Sequence, residues 1–187
     1  MDTKKDMDGG DTKMTMAART ECQRVESINV SVNNDVYAFD LGRIYLILNP
    51  RSDRAFSIAR DFVSTGRKML CISRYHPEIV QGMWVTGDFK SVWLSERHGE
   101  SNIPAHQLSR LRSKIASFLS DGGNGVVMLD GIEYLSLFND FSKLLRFVEE
   151  LNDLVMELHA ILLISVDPRS FDQRSLARLR RFAEVVR

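Results

Sequence analysis

The sequence predicts an α/β fold, a three-layer sandwich with a mainly parallel sheet of about five strands. Three observations carry that expectation. Five short apolar runs, at residues 43–48, 69–73, 91–95, 125–130 and 160–166, each have the length of one strand. The strongest of them are apolar almost throughout rather than alternating, as strands covered on both faces are. Helix-length segments with one apolar face separate them, which implies βαβ crossovers and helices on both sides of the sheet.

The elements follow in order. Residues 1–24 are polar, mixed in charge and glycine-containing, and read as a disordered tail ahead of a single α/β domain at 25–187. Lys4, Lys5, Lys13 and Arg19 are matched by Asp2, Asp6, Asp8 and Asp11, so the tail is not a basic arm. Ser27 to Ser31 alternates as a short edge strand does, and Asn33-Asn34-Asp35 is a turn signal. Arg43 to Leu48 is the first strong strand, ended by Asn49-Pro50-Arg51. A helix follows from about Ser52 to Thr65, with Phe56, Ala59, Phe62 and Val63 on one face and Gly66 as its stop. Met69 to Ser73 is the next strand, and His76-Pro77-Glu78 opens a short helix. After the strand at Ser91 to Ser95, Pro104 starts a helix that turns Leu108, Leu111, Ile115, Phe118 and Leu119 inward. Gly125 to Asp130 is the most apolar strand. The segment from about Asp140 to His159 carries a stripe of Leu144, Phe147, Val148, Leu151, Leu154, Val155 and Leu158. Ala160 to Val166 is a buried strand, and a last helix is expected over about Phe171 to Val186.

Composition narrows the function classes. The 187 residues are 44% hydrophobic, enough for one domain with a core. With 25 basic and 25 acidic residues the net charge is zero, so no global attraction to nucleic acid or anionic lipid follows. Nucleic acid is therefore not an expected partner. The charge is uneven only at the end, where six arginines from Pro168 onward face Asp172 and Glu184. Two cysteines, Cys22 and Cys71, show no CxxC or Cys/His metal spacing and are poorly placed for a bridge, which fits a reduced, cytoplasmic setting. No apolar run approaches the roughly 20 residues of a transmembrane helix, and the N-terminus has no apolar signal core.

Ligands in open α/β sheets lie beyond the carboxyl ends of the strands. The residues delivered there are Asn49, Arg51 and Ser52; Ser73, Arg74 and His76; Ser95, Glu96 and His98; Asp130, Gly131 and Glu133; and Ser165, Asp167 and Arg169. Arg74, His76, Glu96, Asp130, Glu133, Ser165 and Asp167 are the candidate ligand-binding set. Polar strand ends are ordinary in this fold class, and Asp130 reads first as a residue that stabilises the Asp-Gly turn. Neither loop histidine has a recognisable supporting partner, and no G-x-S-x-G elbow surrounds a strand-ending serine. No catalytic residue, metal site or cofactor is assigned. Arg174, Arg178 and Arg181, spaced by four and three, are a candidate interaction surface, either solvated or paired with the acidic face at 149–157.

A phosphate loop would need G-x-x-x-x-G-K-[ST] after the first strand, its glycines letting backbone N–H groups wrap the phosphates. The turn instead reads Asn49-Pro50-Arg51-Ser52-Asp53-Arg54. It has no glycine, Pro50 removes a donor, and Asp53 repels phosphate. Gly66-Arg67-Lys68 falls at a helix end, where the dipole is unfavourable for an anion. Both facts argue against conventional ATP or GTP hydrolysis.

Five segments, taken together and in order, carry a family resemblance: Leu41 to Leu46, Cys71 to Pro77, Trp93 to Glu96, Leu129 to Leu135 and Val166 to Arg169. On these the chain resembles the archaeal domain-of-unknown-function family 835. Val126 to Glu133 also looks like a Walker B strand. The resemblance implies a RecA-like relative of the P-loop NTPases without Walker A, in signalling or regulation. It carries over no catalytic residue. The expectation is a non-catalytic regulatory or protein-interaction domain, with a protein partner or a second copy as its target. The alternative is a nucleotide- or small-ligand-binding domain that uses the carboxyl strand edge, with weak or no hydrolysis.

Overall fold

A computed structural model describes residues 26–32, 35–51, 53–84, 87–123 and 125–186. The expected tail at 1–24, Cys22 and Ser52 lie outside the described residues.

The five expected strands are present as β3 (Arg43–Leu48), β4 (Lys68–Ser73), β5 (Phe89–Leu94), β7 (Gly125–Asp130) and β8 (Ile161–Val166). Two short edge strands, β6 (Asn102–Ile103) and β9 (Glu184–Val185), extend them to a seven-stranded sheet in the order β6-β5-β4-β7-β8-β3-β9. Every pairing in it is parallel. β7 and β8 sit in its interior and are buried at every position. That explains their unbroken apolar runs, because a strand with helices on both faces has no solvent side.

Period-two alternation sends the two faces of each strand into separate cores. Ile44, Leu70, Leu129 and Ile164 join one; Tyr45, Cys71, Met128 and Leu163 join the other. The first core is closed by α3 (Leu108–Ser120), α4 (Ile132–Phe138), α5 (Phe141–Glu157) and α6 (Gln173–Leu179). The second is closed by α1 (Asp53–Ser64), α2 (Pro77–Met83) and a hairpin of β1 (Ser27–Val32) and β2 (Asp35–Asp40). These are the three layers of the expected sandwich.

Four elements differ from the expectation. β1 is not an edge of the main sheet; it pairs antiparallel with β2, Val32 opposite Asp35, and lays Val30, Val32 and Phe39 on α1. Between β7 and α5 the chain forms α4, a helix of 7 residues that buries Ile132 and Leu135. α3 starts at Leu108 rather than at Pro104, because β6 and its following turn occupy residues 102–107. The expected last helix at 171–186 ends at Leu179. The chain then turns through residues 180–183 and adds β9 beside β3, with Val186 N donating to Leu46 O. Val186 thereby enters the core opposite the one that holds Leu176 and Leu179.

Candidate functional site

β4 leads through α2 to β5, on one side, while its neighbour β7 leads through α4 and α5 to β8, on the other. The chain therefore leaves two adjacent strands in opposite directions, which opens the crevice where open α/β sheets hold ligands. Ile72 pairs with Leu129 and Asp130 with Ser165, so Ser73, Asp130 and Ser165 stand at one level of three neighbouring strands. They face the α1 side, two residues beyond Cys71, Met128 and Leu163. All three are buried. Ser73 Oγ accepts from Tyr75 N at 3.2 Å, which shapes the turn out of β4. Burial, with the Asp130 charge adding to it, pushes the Cys71 thiol up to about 12, partly offset by a hydrogen bond with Ser73. That thiol is a core side chain and not a nucleophile.

The opposite side of β7 is organised by Glu133. Gly131 caps α4 with φ +137°. A Cβ there would lie 2.9 Å from Leu94 Cδ1, so the turn needs glycine for conformation and for space. Glu133 in the first turn reaches across to β8, where its Oε1 accepts from Asp167 N at 2.6 Å. Burial raises its carboxyl above the usual range; that hydrogen bond offsets part of the rise, and the Asp130 and Asp167 charges add to it. Asp167 behaves oppositely. Its carboxylate takes Arg169 Nη2 at 2.8 Å, Nε at 3.0 Å and the Arg169 backbone N at 2.9 Å, and these bonds hold it below the usual range. Glu133 and Asp167 thus tie the ends of β7 and β8 together.

Between these two clusters an aromatic band crosses the strand ends. Phe138 and Tyr134 of α4 meet edge-on at 5.0 Å. The Arg74 guanidinium lies 3.9 Å from the Tyr134 ring centroid and donates through Nη1 to the Leu94 carbonyl. Trp93 Nε1 donates to the Arg74 carbonyl at 3.0 Å, and the Trp93 ring meets His76 at 4.8 Å. Tyr75 continues the band to Phe56 of α1 at 5.6 Å.

Of the candidate residues, the structure brings Arg74, His76, Asp130, Glu133, Ser165 and Asp167 to the ends of β4, β7 and β8. It engages Glu96 elsewhere: Oε1 accepts from Ala105 N at 3.0 Å, beside His106 at 3.7 Å, closing the loop around β6. The arginine surface is divided. Arg174 and Arg178 belong to α6, with the Arg178 guanidinium 5.2 Å from the Phe141 ring, while Arg181 lies past the helix end. The expected pairing of this surface with the 149–157 face is not formed among the described residues. There Glu150 pairs instead with Arg112 of α3 at 3.3 Å. Sequence reasoning missed the band itself. Ile79 and Met83, spaced by four on α2, are exposed on one face of that helix, and Tyr75 lies in the turn before it.

Residues 48–182 match the family model described as Protein of unknown function (DUF835). The chain belongs to this family. The DUF835 match runs from the last residue of β3 to the turn beyond α6, so it contains the whole switch point and leaves out the β1–β2 hairpin. No curated protein matches the chain. Among the described residues no group of His, Cys, Asp and Glu has the arrangement of a metal site, and no helix is long and apolar enough to cross a membrane.

Proposed function

We propose that this DUF835 chain is a non-catalytic regulatory domain that docks a protein partner at the carboxyl edge of its sheet. The observation that carries this reading is the aromatic band and its flanks. Leu137 is 78% exposed, Ile79 51% and Phe138 48%, and these three lie on the two helices that leave the switch point. Tyr, Trp and Arg side chains with exposed apolar neighbours form the composition that dominates binding at protein interfaces. Two carboxylates of this edge support the same reading, since Glu133 is engaged in joining the ends of β7 and β8 and Asp167 is held by Arg169 within its own turn. Descent from a RecA-like ATPase that lost its phosphate loop, and a place in archaeal cytoplasmic signalling, belong to this proposal.

The test is affinity capture from the native host with the intact chain and with L137D/F138D. Leu137 is largely solvent-facing and Phe138 is half-exposed against Tyr134, so the melting temperature is measured first, and a folded variant is expected to lose the captured partner. Recovery of the same partner by a folded L137D/F138D chain would overturn the assignment of this edge.

The buried row of Ser73, Asp130 and Ser165 favours a second reading, a nucleotide or small ligand held at the switch point with Arg74. A ligand at 100-fold excess over its Kd stabilises by about 2.7 kcal/mol. Thermal titration with ATP, GTP and cyclic nucleotides plus Mg²⁺ separates the readings, because the docking role predicts no shift with any of them.

A further inference from the structure

The outer face of α5 carries a charge pattern that the fold itself does not use. The inner face is taken up by Leu144, Phe147, Val148, Leu151 and Val155, packed in the core. On the outer side Lys143, Arg146, Glu150, Asp153 and Glu157 are exposed, and steps of three and four place them on one stripe. Their order is segregated. Both cations stand in the first half of the helix and the three carboxylates in the second.

Nothing within the chain explains that order. Lys143 lies in the first turn and Glu157 is the last residue of α5, and the first turn holds no acid and the last no base. The helix macrodipole disfavours both placements. Among the described residues only Glu150 on this stripe has an ion pair, with Arg112 of α3 at 3.3 Å. Lys143, Arg146, Asp153 and Glu157 have none. Exposed apolar side chains mark the two ends of the same helix. Leu137 and Phe138 precede its start by a few residues. Met156 lies at its finish, beside a hollow of about 560 Å³ lined by Ile44, His159 and Phe182 among others.

We infer that two copies of this chain pair through the outer faces of α5, antiparallel about a two-fold axis near Glu150. Arg146 of one copy then meets Asp153 of the other, and Lys143 meets Glu157, each contact being made twice. The two macrodipoles oppose, so the order that is unfavourable in one helix is favourable in the pair. Glu150 sits at the axis already neutralised by Arg112. Glu149, on the other flank of the helix, is the one charge left without a counterpart. The same two-fold carries Leu137 and Phe138 toward the Met156 end of the other copy, where the hollow can receive an apolar side chain. In that contact the inference rests on the docking reading above, and it names a second copy as the partner at those two residues.

The experiment is analytical ultracentrifugation of the purified full chain, of K143E/R146E, of D153K/E157K, and of the two variants mixed. The parent chain is expected to dimerise, less tightly as salt rises. Each charge reversal sets like charges opposite one another at both contacts and is expected to weaken the dimer by about tenfold or more. The mixture is expected to recover it, because each variant then meets the opposite charge. The substituted side chains are exposed, and an unchanged melting temperature checks that each variant is folded. A parent chain that stays monomeric, a dimer indifferent to either reversal, or folded variants that do not pair when mixed would overturn the inference. A chain that is monomeric when pure but captures a host protein through Leu137 and Phe138 overturns this pairing and leaves the docking reading standing. Recovery of the dimer by charge swap, with capture indifferent to L137D/F138D, supports the pairing and overturns docking at those two residues.

Discussion

The turn after β3 and the turn after β7 lie at the same edge of one parallel sheet, and they are built in opposite ways. The first is exposed and closed on itself by local polar contacts. Asn49 Oδ1 accepts from Arg51 N at 3.1 Å, Arg51 lies 3.8 Å from Asp53, and Pro50 is solvent-facing. The second is packed into its neighbours. Gly131 sits against Leu94 and Arg74, and Glu133 reaches to β8. In a nucleotide-hydrolysing fold the first turn would wrap phosphate and the second would supply carboxylates to metal and water. Here neither turn is arranged for that work. The lesson is that an Asp-Gly-x-Glu strand end can be kept by packing alone, because glycine at φ +137° and a cross-strand hydrogen bond already constrain it.

If packing holds the second turn, breaking it should cost the most. Gly131→Ala forces a side chain into a left-handed backbone and against Leu94. About 3 kcal/mol of lost stability is expected, from the strain and the overlap together, measured by urea unfolding of the purified chain. A loss below half that value would mean that the turn relaxes freely, and the contrast with the first turn would weaken.

How much of this was legible before the structure follows from the same contrast. The five core strands showed in the sequence because burial on both faces leaves a continuous apolar run, as in Val126 to Leu129 and Ile161 to Ile164. The β7 turn was legible as chemistry but not as geometry. Nothing local says that Glu133 will find the backbone N–H of Asp167, 34 residues away. α4 was missed because its 7 residues between Gly131 and Asn139 are too few to show a helical period. β6 and β9 have two residues each, and only their neighbours make them strands. The last helix was overextended for a related reason. Leu176, Leu179, Phe182, Ala183 and Val186 fit one helical face, but Val186 gains more by pairing with β3 and burying on the far side of the sheet. The aromatic band joins residues from α1, the turn after β4, β5 and α4, so no single segment could announce it.

The middle-sized effects test the role of Glu133. Glu133→Ala leaves the Asp167 N–H without its acceptor and should cost about 1–2 kcal/mol. Glu133→Gln keeps an acceptor oxygen and should cost less, and it should also change the dependence of stability on pH. The sign follows from the raised carboxyl of the folded state. Well below the ordinary carboxylate value both states are protonated and no difference arises. As pH rises past that value the unfolded chain ionises first, so folded stability falls until the raised folded value is passed. Stability curves measured from mildly acidic to neutral pH should therefore lose one downward component in Glu133→Gln. An identical pH profile in both proteins would mean that the Glu133 carboxyl does not couple to folding at this edge.

The smallest effect belongs to the first turn. Pro50 is exposed, and replacing it by glycine acts mainly on the unfolded chain, which gains conformational freedom. A loss of roughly 0.4–1 kcal/mol follows. The informative part is what P50G should fail to do. Restoring an N–H donor at position 50 does not rebuild a cradle for phosphate, because the turn still has the Asn49–Arg51 closure, and Asp53 still stands at the start of α1. Thermal titration of P50G with Mg²⁺–ATP should therefore show no shift beyond that of the parent chain. A clear stabilisation of P50G alone would mean that one missing donor separates this turn from a phosphate site. The two turns would then differ by a single residue rather than by construction.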